Sequence, residues 1–217
     1  MDTKKLSPKG QQLIELYTQM AKEGYEREDG EREDVAFSYF ELRAYRTHMA
    51  PLFKEQGIRS VLDYGCGGSD WTQKNFHPET GQCAQDYFGL DVVNRYEPAR
   101  ALDQREVVDA VLCFDVLEHI FISDIPNMLR DIFSYARKLV ILNIALYPAA
   151  AKLANGENAH ITLRDPQWWK GMVDAISVEY PQIQVYLICS QAWHKSINFP
   201  MWRAEDWQQQ EGFVVKS

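Results

Sequence analysis

The sequence predicts an α/β fold: a doubly wound, mostly parallel sheet with an antiparallel C-terminal strand and a helical N-terminal cap. Short, nearly continuous apolar runs alternate with amphipathic segments of helical period, as in parallel sheets covered on both faces. The last two apolar runs, residues 182–191 and 194–200, have no helix between them. This spacing predicts that they pair as antiparallel strands at one edge of the sheet.

The first 56 residues contain helical patterns only and form the predicted cap, and residues 57–217 form the predicted ligand-binding domain. In the first helix, Ser7 suits the N-cap, Pro8 the first helical position and Gly24 the residue after the end. A second helix is expected from about Phe37 to Gln56, with a break at Pro51. The charged run 26–34 between these helices predicts a solvated loop.

The sheet begins where the sequence turns apolar, after residue 58. The expected strands are "SVLDYG", "YFGLD", "VVNRYE", "VDAVLCFD" and "LVILNIALY". A helical stripe follows the fourth of them, and a further helix is expected to begin near Pro166. The stripe consists of Ile125, Met128, Leu129, Ile132, Phe133 and Ala136.

Composition narrows the class of protein. The chain has 217 residues, 46% of them hydrophobic, which is enough for a sizeable core. A net charge of −8 argues against nucleic acid as a partner. There is no long apolar run and no apolar N-terminal segment, and the four cysteines show no paired spacing. We therefore expect a cytoplasmic protein with free thiols and no membrane partner, either a monomer or a homodimer.

A glycine-rich stretch, "VLDYGCGGSDW" at 61–71, ends the first strand. In open α/β sheets the ligand lies beyond the carboxyl ends of the strands, and Gly65 and Gly67 would let the backbone approach it. Asp63 suits a ligand with an ammonium or sulfonium group. In the dinucleotide loop G-x-G-x-x-G the third glycine would fall at Asp70, whose charge disfavours a pyrophosphate. Both acids favour S-adenosylmethionine over NAD.

A second motif, "FDVLEHI" at 114–120, follows the fourth strand. Together with "VLDYGCGG" upstream it resembles the class I S-adenosylmethionine-dependent methyltransferases, which have a Rossmann-like fold. The phrase "NGENAHITLRDPQWW" at 155–169 is similar to one in a small, largely uncharacterised bacterial subgroup of them. The resemblance covers the chain from about Leu6 to Trp169.

The resemblance implies S-adenosylmethionine as the cofactor and assigns residues that contact it. These are Asp63, Gly65, Cys66, Gly67, Asp115 and Val116. The acid that holds the ribose hydroxyls is either Asp91, which fits the general pattern of the family, or Glu97, which the subgroup favours. The interval between these acids and Asp109 is shorter than in the general family pattern, so the strand that the family has within this interval, its third, is expected to be short or missing.

The methyl acceptor is expected to be a small molecule methylated on oxygen or nitrogen, such as a sugar or another metabolite. His119 and His160 are the candidate general bases, since histidine titrates near neutral pH. Tyr17 and Trp168 are the candidate substrate-binding residues. Three of the four have a structural alternative, namely backbone hydrogen bonding for His119 and packing for Tyr17 and Trp168.

The sequence predicts no metal site, because Glu118, His119 and His160 show no recognised ligand spacing. Two rival functions stay open. One is a protein that binds S-adenosylmethionine without turnover, as a regulatory or scaffold subunit. The other is a Rossmann oxidoreductase.

Overall fold

The computed structural model describes residues 6–37, 40–192, 195–203 and 212–216. The helices of this part are α1 (Pro8–Glu23), α2 (Leu42–Glu55), α3 (Ala84–Phe88), α4 (Ile125–Ser134) and α5 (Pro166–Ser177). The strands are β1 (Tyr25–Arg27), β2 (Arg32–Glu33), β3 (Ser60–Tyr64), β4 (Val92–Glu97), β5 (Leu102–Asp103), β6 (Val108–Phe114), β7 (Ala136–Ala145), β8 (Ala151–Lys152), β9 (Gln184–Ala192), β10 (Lys195–Trp202) and β11 (Phe213–Lys216).

The main sheet has eight strands in the order β11-β10-β9-β7-β6-β3-β4-β5. The central strands β4, β3, β6, β7 and β9 are parallel to one another, whereas β5 at one edge and β10 and β11 at the other pair antiparallel. The predicted α/β class with a mostly parallel sheet is confirmed, and the arrangement is compatible with a Rossmann-like fold. The antiparallel pairing of β9 with β10 also agrees with the prediction.

Helices cover both faces of this sheet. On one face α4 and α5 bury their apolar stripes against β6, β7 and β9, and on the other Met49 and Phe53 of α2 and Phe88 of α3 pack on the sheet. Because the central strands are covered on both sides, their side chains are apolar almost without interruption. The predicted stripe of α4 is buried as far as Phe133, but the helix ends at Ser134 and Ala136 already belongs to β7.

Helix α1 begins and ends where its sequence signals place it. The Ser7 hydroxyl accepts a hydrogen bond from the Gly10 amide at 3.0 Å, and Gly24 follows the last turn with a φ of 76°. The Ser7 amide and hydroxyl also donate to the Asp124 carboxylate at 2.8 and 2.7 Å. Asp124 immediately precedes α4 and is almost fully buried, so this contact attaches the N-terminal helix to the sheet layer.

The structure corrects the predicted strand "YFGLD". Residues 84–88 form α3, which ends because Gly89 adopts a left-handed conformation at φ 66°. The glycine that resembled part of a strand is therefore a helix C-cap. The chain then enters β4 directly, and the next strand, β5, has two residues and runs antiparallel. This matches the expectation of a short or missing third strand.

Two predictions for the N-terminal region are wrong. Pro51 lies inside α2 without breaking it. The charged run expected as a loop forms the antiparallel strands β1 and β2, and β8 pairs with β1 as a third strand. Gly30 supplies the turn with a φ of 86°, and the Arg27–Glu33 ion pair at 3.6 Å joins the two strands. Residues of opposite charge face each other across the two strands, and their attraction stabilises the pairing of this polar segment.

Among the described helices, none has the length and apolar character needed to cross a membrane.

The packing of α4 can be tested by truncating one residue of its stripe. Leu129 has 0% of its surface exposed, so Leu129→Ala is expected to lower the free energy of unfolding by about 2–5 kcal/mol. Asn127 lies on the exposed side of the same helix, and Asn127→Ala should change it by no more than about 0.5 kcal/mol. Denaturant unfolding of both variants measures the difference, and equal effects would contradict the assigned face.

Candidate functional site

A cavity of about 600 Å³ opens at the carboxyl ends of β3, β4 and β6, under α1. Such a volume is typical of small-molecule sites. Most of the predicted site residues line this one cavity: Tyr17, Asp63, Gly65, Cys66, Gly67, Glu97, Asp115, Val116, His119 and His160. Asp91 and Trp168 do not line it. The topology explains the grouping, because parallel strands bring their carboxyl ends to one edge.

The glycines after β3 are required by neighbouring protein atoms. Gly65 has a φ of 77°, and a Cβ there would lie 2.4 Å from Cγ2 of Val116. Gly67 has a φ of 54°, and its Cβ would lie 2.9 Å from Cβ of Phe37. We expected these glycines to allow a close approach of ligand. The structure shows that they allow the loop to pack against the segment after β6 and the segment before α2.

Asp63 lies near the end of β3 and is 7% exposed. Its Oδ2 accepts hydrogen bonds from Ser69 Oγ at 2.6 Å and from Trp71 Nε1 at 2.8 Å. Burial raises the pKa of this carboxyl group, while the two donors and the Arg95 guanidinium act in the opposite direction. The glycine loop thus folds back to orient one oxygen of a buried acid that lines the cavity.

Glu97 is the last residue of β4, the strand next to β3. Its carboxylate connects β4 to the glycine loop, residues 65–71 after β3. Its Oε2 accepts a hydrogen bond from the Gly67 amide at 3.0 Å, and its Oε1 accepts one from the Ala99 amide at 3.0 Å. Burial raises the pKa of this carboxyl group, and the two amides oppose the shift. Each oxygen keeps a lone pair for a further donor, because a carboxylate offers about four acceptor sites.

Asp91, the alternative to Glu97, lies at the opposite end of the strand. It precedes β4 and forms an ion pair with Arg59, at 2.6 Å between Nη2 and Oδ1, with 62% of its side chain exposed. Arg59 itself precedes β3. Parallel strands begin at one edge of the sheet and end at the other, so Asp91 cannot reach the cavity. Of the two predicted ribose acids, only Glu97 lines it.

The other side of the cavity holds four side chains that could bind or move a proton. Asp115 follows β6 with a φ of 57°, and its Oδ1 lies 3.8 Å from Nε2 of His160. The rings of His119 and His160 meet edge to face, with centroids 4.6 Å apart. The hydroxyl of Tyr17, from α1, lies 2.6 Å from Nδ1 of His119 and donates to the Ala159 carbonyl at 2.9 Å.

Burial lowers the pKa of His119 to about 4, against a smaller opposing effect of Asp115. The imidazole is therefore uncharged at neutral pH. A base with so low a pKa is poorly matched to proton abstraction near pH 7. Burial also raises the pKa of Cys66 to about 12, so this residue is a thiol and contributes its backbone to the loop.

Two further expectations are corrected. Trp168 is partly buried against the core, where it packs edge to face on Trp169, at 5.0 Å between ring centroids, beneath the Arg164 guanidinium. Asp70 accepts hydrogen bonds from the amide and hydroxyl of Thr72 in an exposed turn and does not line the cavity. Its charge therefore gives no reason to exclude a pyrophosphate.

Sequence reasoning missed several lining residues, including Phe37, Glu41, Ser69, Trp71 and Tyr147. Tyr147 had a usable signal, since it follows β7 on the same edge of the sheet as the other sites. Glu41 had none, because it precedes α2 in a segment whose path depends on tertiary contacts. Burial, and to a lesser extent Asp115, raises the pKa of Glu41 to about 8.

No protein-family model, curated protein or solved structure matches the chain.

Two glycine variants test the packing of the loop after β3. Gly65→Ala and Gly30→Ala both place a Cβ on a residue of positive φ, at a cost of roughly 1–2 kcal/mol. Only at Gly65 would the added Cβ collide with a neighbour, the Val116 side chain. This side chain cannot easily move away, because a β-branched residue has few accessible χ1 rotamers. We expect Gly65→Ala to be more destabilising by about 1–3 kcal/mol in denaturant unfolding. Equal losses would show that the loop relaxes freely.

The Glu41 carboxyl group should make stability depend on pH. Its pKa is 4.5 as a free group and about 8 in the folded protein. The folded state therefore holds the proton more tightly, and stability is lost as pH rises from about 4.5 to about 8. Glu41→Gln removes this loss, so its melting temperature should rise relative to wild type across that range. Glu55→Gln, at an exposed position of α2, is the control and should show a constant difference.

Proposed function

We propose that the protein is an S-adenosylmethionine-dependent methyltransferase with a Rossmann-like fold, acting on a small acceptor at oxygen or nitrogen. One observation carries the proposal. Asp63 and Glu97 lie at the carboxyl ends of two adjacent parallel strands, with the glycine loop between them, in the same cavity as Asp115, His119 and His160.

The charge of the cavity favours a cationic cofactor. Its lining includes Asp63, Glu97, Asp115 and Asp124, whereas Arg27 is its one arginine or lysine among the described residues. S-adenosylmethionine carries an ammonium and a sulfonium group. Asp63, oriented by Ser69 and Trp71, would accept a hydrogen bond from the ammonium, and the free lone pairs of Glu97 would accept from the ribose hydroxyls.

The glycine loop does not favour a dinucleotide. In the dinucleotide fingerprint the pyrophosphate binds at the N-terminus of the helix that opens directly after the glycines. In this chain residues 65–83 are irregular, and α3 begins only at Ala84 and has five residues. The helix N-terminus that would bind the pyrophosphate in a Rossmann oxidoreductase therefore does not follow these glycines.

Methyl transfer is an in-line displacement at the sulfonium methyl group, and positioning supplies much of its acceleration. The acceptor would lie between the cofactor and the second half of the cavity. There Tyr17, Tyr147, Asp115 and the two histidines offer polar groups that can bind and orient it. The Tyr17 contact also makes α1 a wall of this acceptor site.

Calorimetry with S-adenosylmethionine and S-adenosylhomocysteine tests cofactor binding, with Glu97→Gln as the variant and Asp91→Asn as its matched control. Replacing an acid that binds the cofactor should weaken binding at least about tenfold, since hydrogen bonds to charged groups contribute about 1.5–3 kcal/mol. Asp91→Asn should bind like wild type. No binding of either nucleoside, or equal losses in both variants, would refute the proposal.

Turnover separates an enzyme from a binding protein. The protein is incubated with S-adenosylmethionine and a panel of small hydroxylated and amino acceptors, and release of S-adenosylhomocysteine is measured. We expect release with at least one acceptor and a loss of it in Glu97→Gln at subsaturating cofactor. Tight binding without release on any acceptor would favour a regulatory or scaffold subunit.

A further inference from the structure

We propose that Asp115, His119 and His160 bind a divalent first-row transition-metal ion at the acceptor side of the cavity. One ligand atom from each residue lies within 4.8 Å of the other two. The sequence does not reveal this cluster, because His160 is remote from the other two residues in the chain. The fold brings it beside them, on the segment that follows β8.

His160 presents the correct atom to a metal ion. Its Nδ1 lies 2.5 Å from the Tyr147 carbonyl oxygen, which can only accept, so Nδ1 carries the proton in the neutral ring. The lone pair is then on Nε2, which faces Asp115 Oδ1 at 3.8 Å. Two acceptors thus point at each other across a distance too long for a hydrogen bond. A cation between them resolves this arrangement.

His119 is held in the same way. Its Nδ1 lies 3.0 Å from the Ala159 carbonyl and 2.6 Å from the Tyr17 hydroxyl, which itself donates to Ala159. All three groups are satisfied when Nδ1 carries the proton, which leaves the lone pair on Nε2. Metal-binding histidines characteristically donate their other N–H to a carbonyl in this manner. Both imidazoles therefore have the tautomer that a metal ion needs.

Negative charge near the cluster is uncompensated. Within the described ranges Asp115 has no arginine or lysine ion-pair partner, and Nε2 of His160, at 3.8 Å, is the one basic group in reach of its carboxylate. Glu118, a neighbour of Asp115, is fully buried, and burial together with the Asp115 carboxylate raises the pKa of its carboxyl group. Its Oε1 accepts a hydrogen bond from the Ala145 amide, while its Oε2 has no hydrogen-bond partner. A divalent cation would stabilise the Asp115 carboxylate.

The donor set indicates the class of ion. Two imidazole nitrogens and one carboxylate oxygen suit Mn²⁺, Fe²⁺, Co²⁺, Ni²⁺ or Zn²⁺, whereas Mg²⁺ and Ca²⁺ prefer oxygen alone. Ligand distances of about 2.0–2.2 Å would draw the three atoms to within roughly 3–4 Å of one another, a small closure of the present cluster. Three protein ligands leave coordination positions for an acceptor hydroxyl. That last role rests on the proposed function, whereas metal binding does not.

Titration of the full-length chain with Co²⁺, after removal of metals by a chelator, tests the site. Visible absorption reports Co²⁺ in a site with protein ligands, and Zn²⁺ competition gives the affinity. We expect one equivalent to bind, with affinity at least about tenfold lower in Asp115→Asn and in His160→Gln. His77→Gln is the matched control, because His77 stacks on Tyr87 and does not belong to the cluster. Circular dichroism verifies the fold of each variant.

Tyr17→Phe keeps all three ligands but removes the hydroxyl at His119 Nδ1, so it should weaken Co²⁺ binding less than loss of a ligand does. Absence of a visible spectrum in wild type, or equal affinity in wild type and both ligand variants, would overturn the metal site. S-adenosylhomocysteine binding to the metal-free protein is measured separately. Co²⁺ binding without nucleoside binding would support the site and refute the proposed function; nucleoside binding without Co²⁺ binding would do the reverse.

Discussion

The parallel register of β3 with its two neighbours is the constraint on which the candidate site depends. Asp63 is paired with Arg95 of β4 and with Leu112 of β6. This register brings Asp63, Glu97 at the end of β4 and Asp115 just after β6 to one edge of the sheet. Acids distant in sequence thereby share a cavity. A register shift in either pairing would separate them.

Helix α1 completes the site from the N-terminal side through two polar contacts. Ser7 donates to Asp124 before α4, and Tyr17 bridges His119 and the Ala159 carbonyl. The second contact joins three segments of the chain at one point. Helix α2, in contrast, packs on the face of the sheet through Met49 and Phe53. Helix α1 thus contributes several residues to the cavity lining, whereas α2 contributes Leu42 to it and packs mainly in the core.

Several carboxyl groups line the cavity in surroundings that disfavour their charge. Burial raises the pKa of Asp63, Glu97 and Glu41, and few arginine or lysine side chains are near to oppose it. Buried carboxyl groups with raised pKa values are typical of functional sites, where a bound ligand can offset the free-energy cost of their charge. Both ligands proposed for this cavity are cations, one with an ammonium and a sulfonium group and the other a metal ion. Their binding would stabilise the fold as well as the charges.

Local signals in the sequence were sufficient for the fold class and for much of the site. Ser7 and Gly24 bound α1, apolar runs predict the buried strands, and the stripe ending at Phe133 predicts the buried face of α4. These features depend on residue spacing within one element, which is visible in the sequence. The same reasoning gave a wrong prediction at "YFGLD", where the apolar run belongs to a short helix that ends at Gly89.

The sequence by itself determined that strands end in acids and glycines, because strand ends and turns are local. Only the tertiary structure shows that Glu97 lines the cavity and Asp91 does not, since this depends on which end of β4 faces the cavity. It also placed Trp168 in the packing around α5, and it assembled Asp115, His119 and His160. Those three residues come from the end of β6 and from a distant loop. They meet because the chain crosses over the edge of the sheet. The spacing of residues in the sequence does not reveal this crossing.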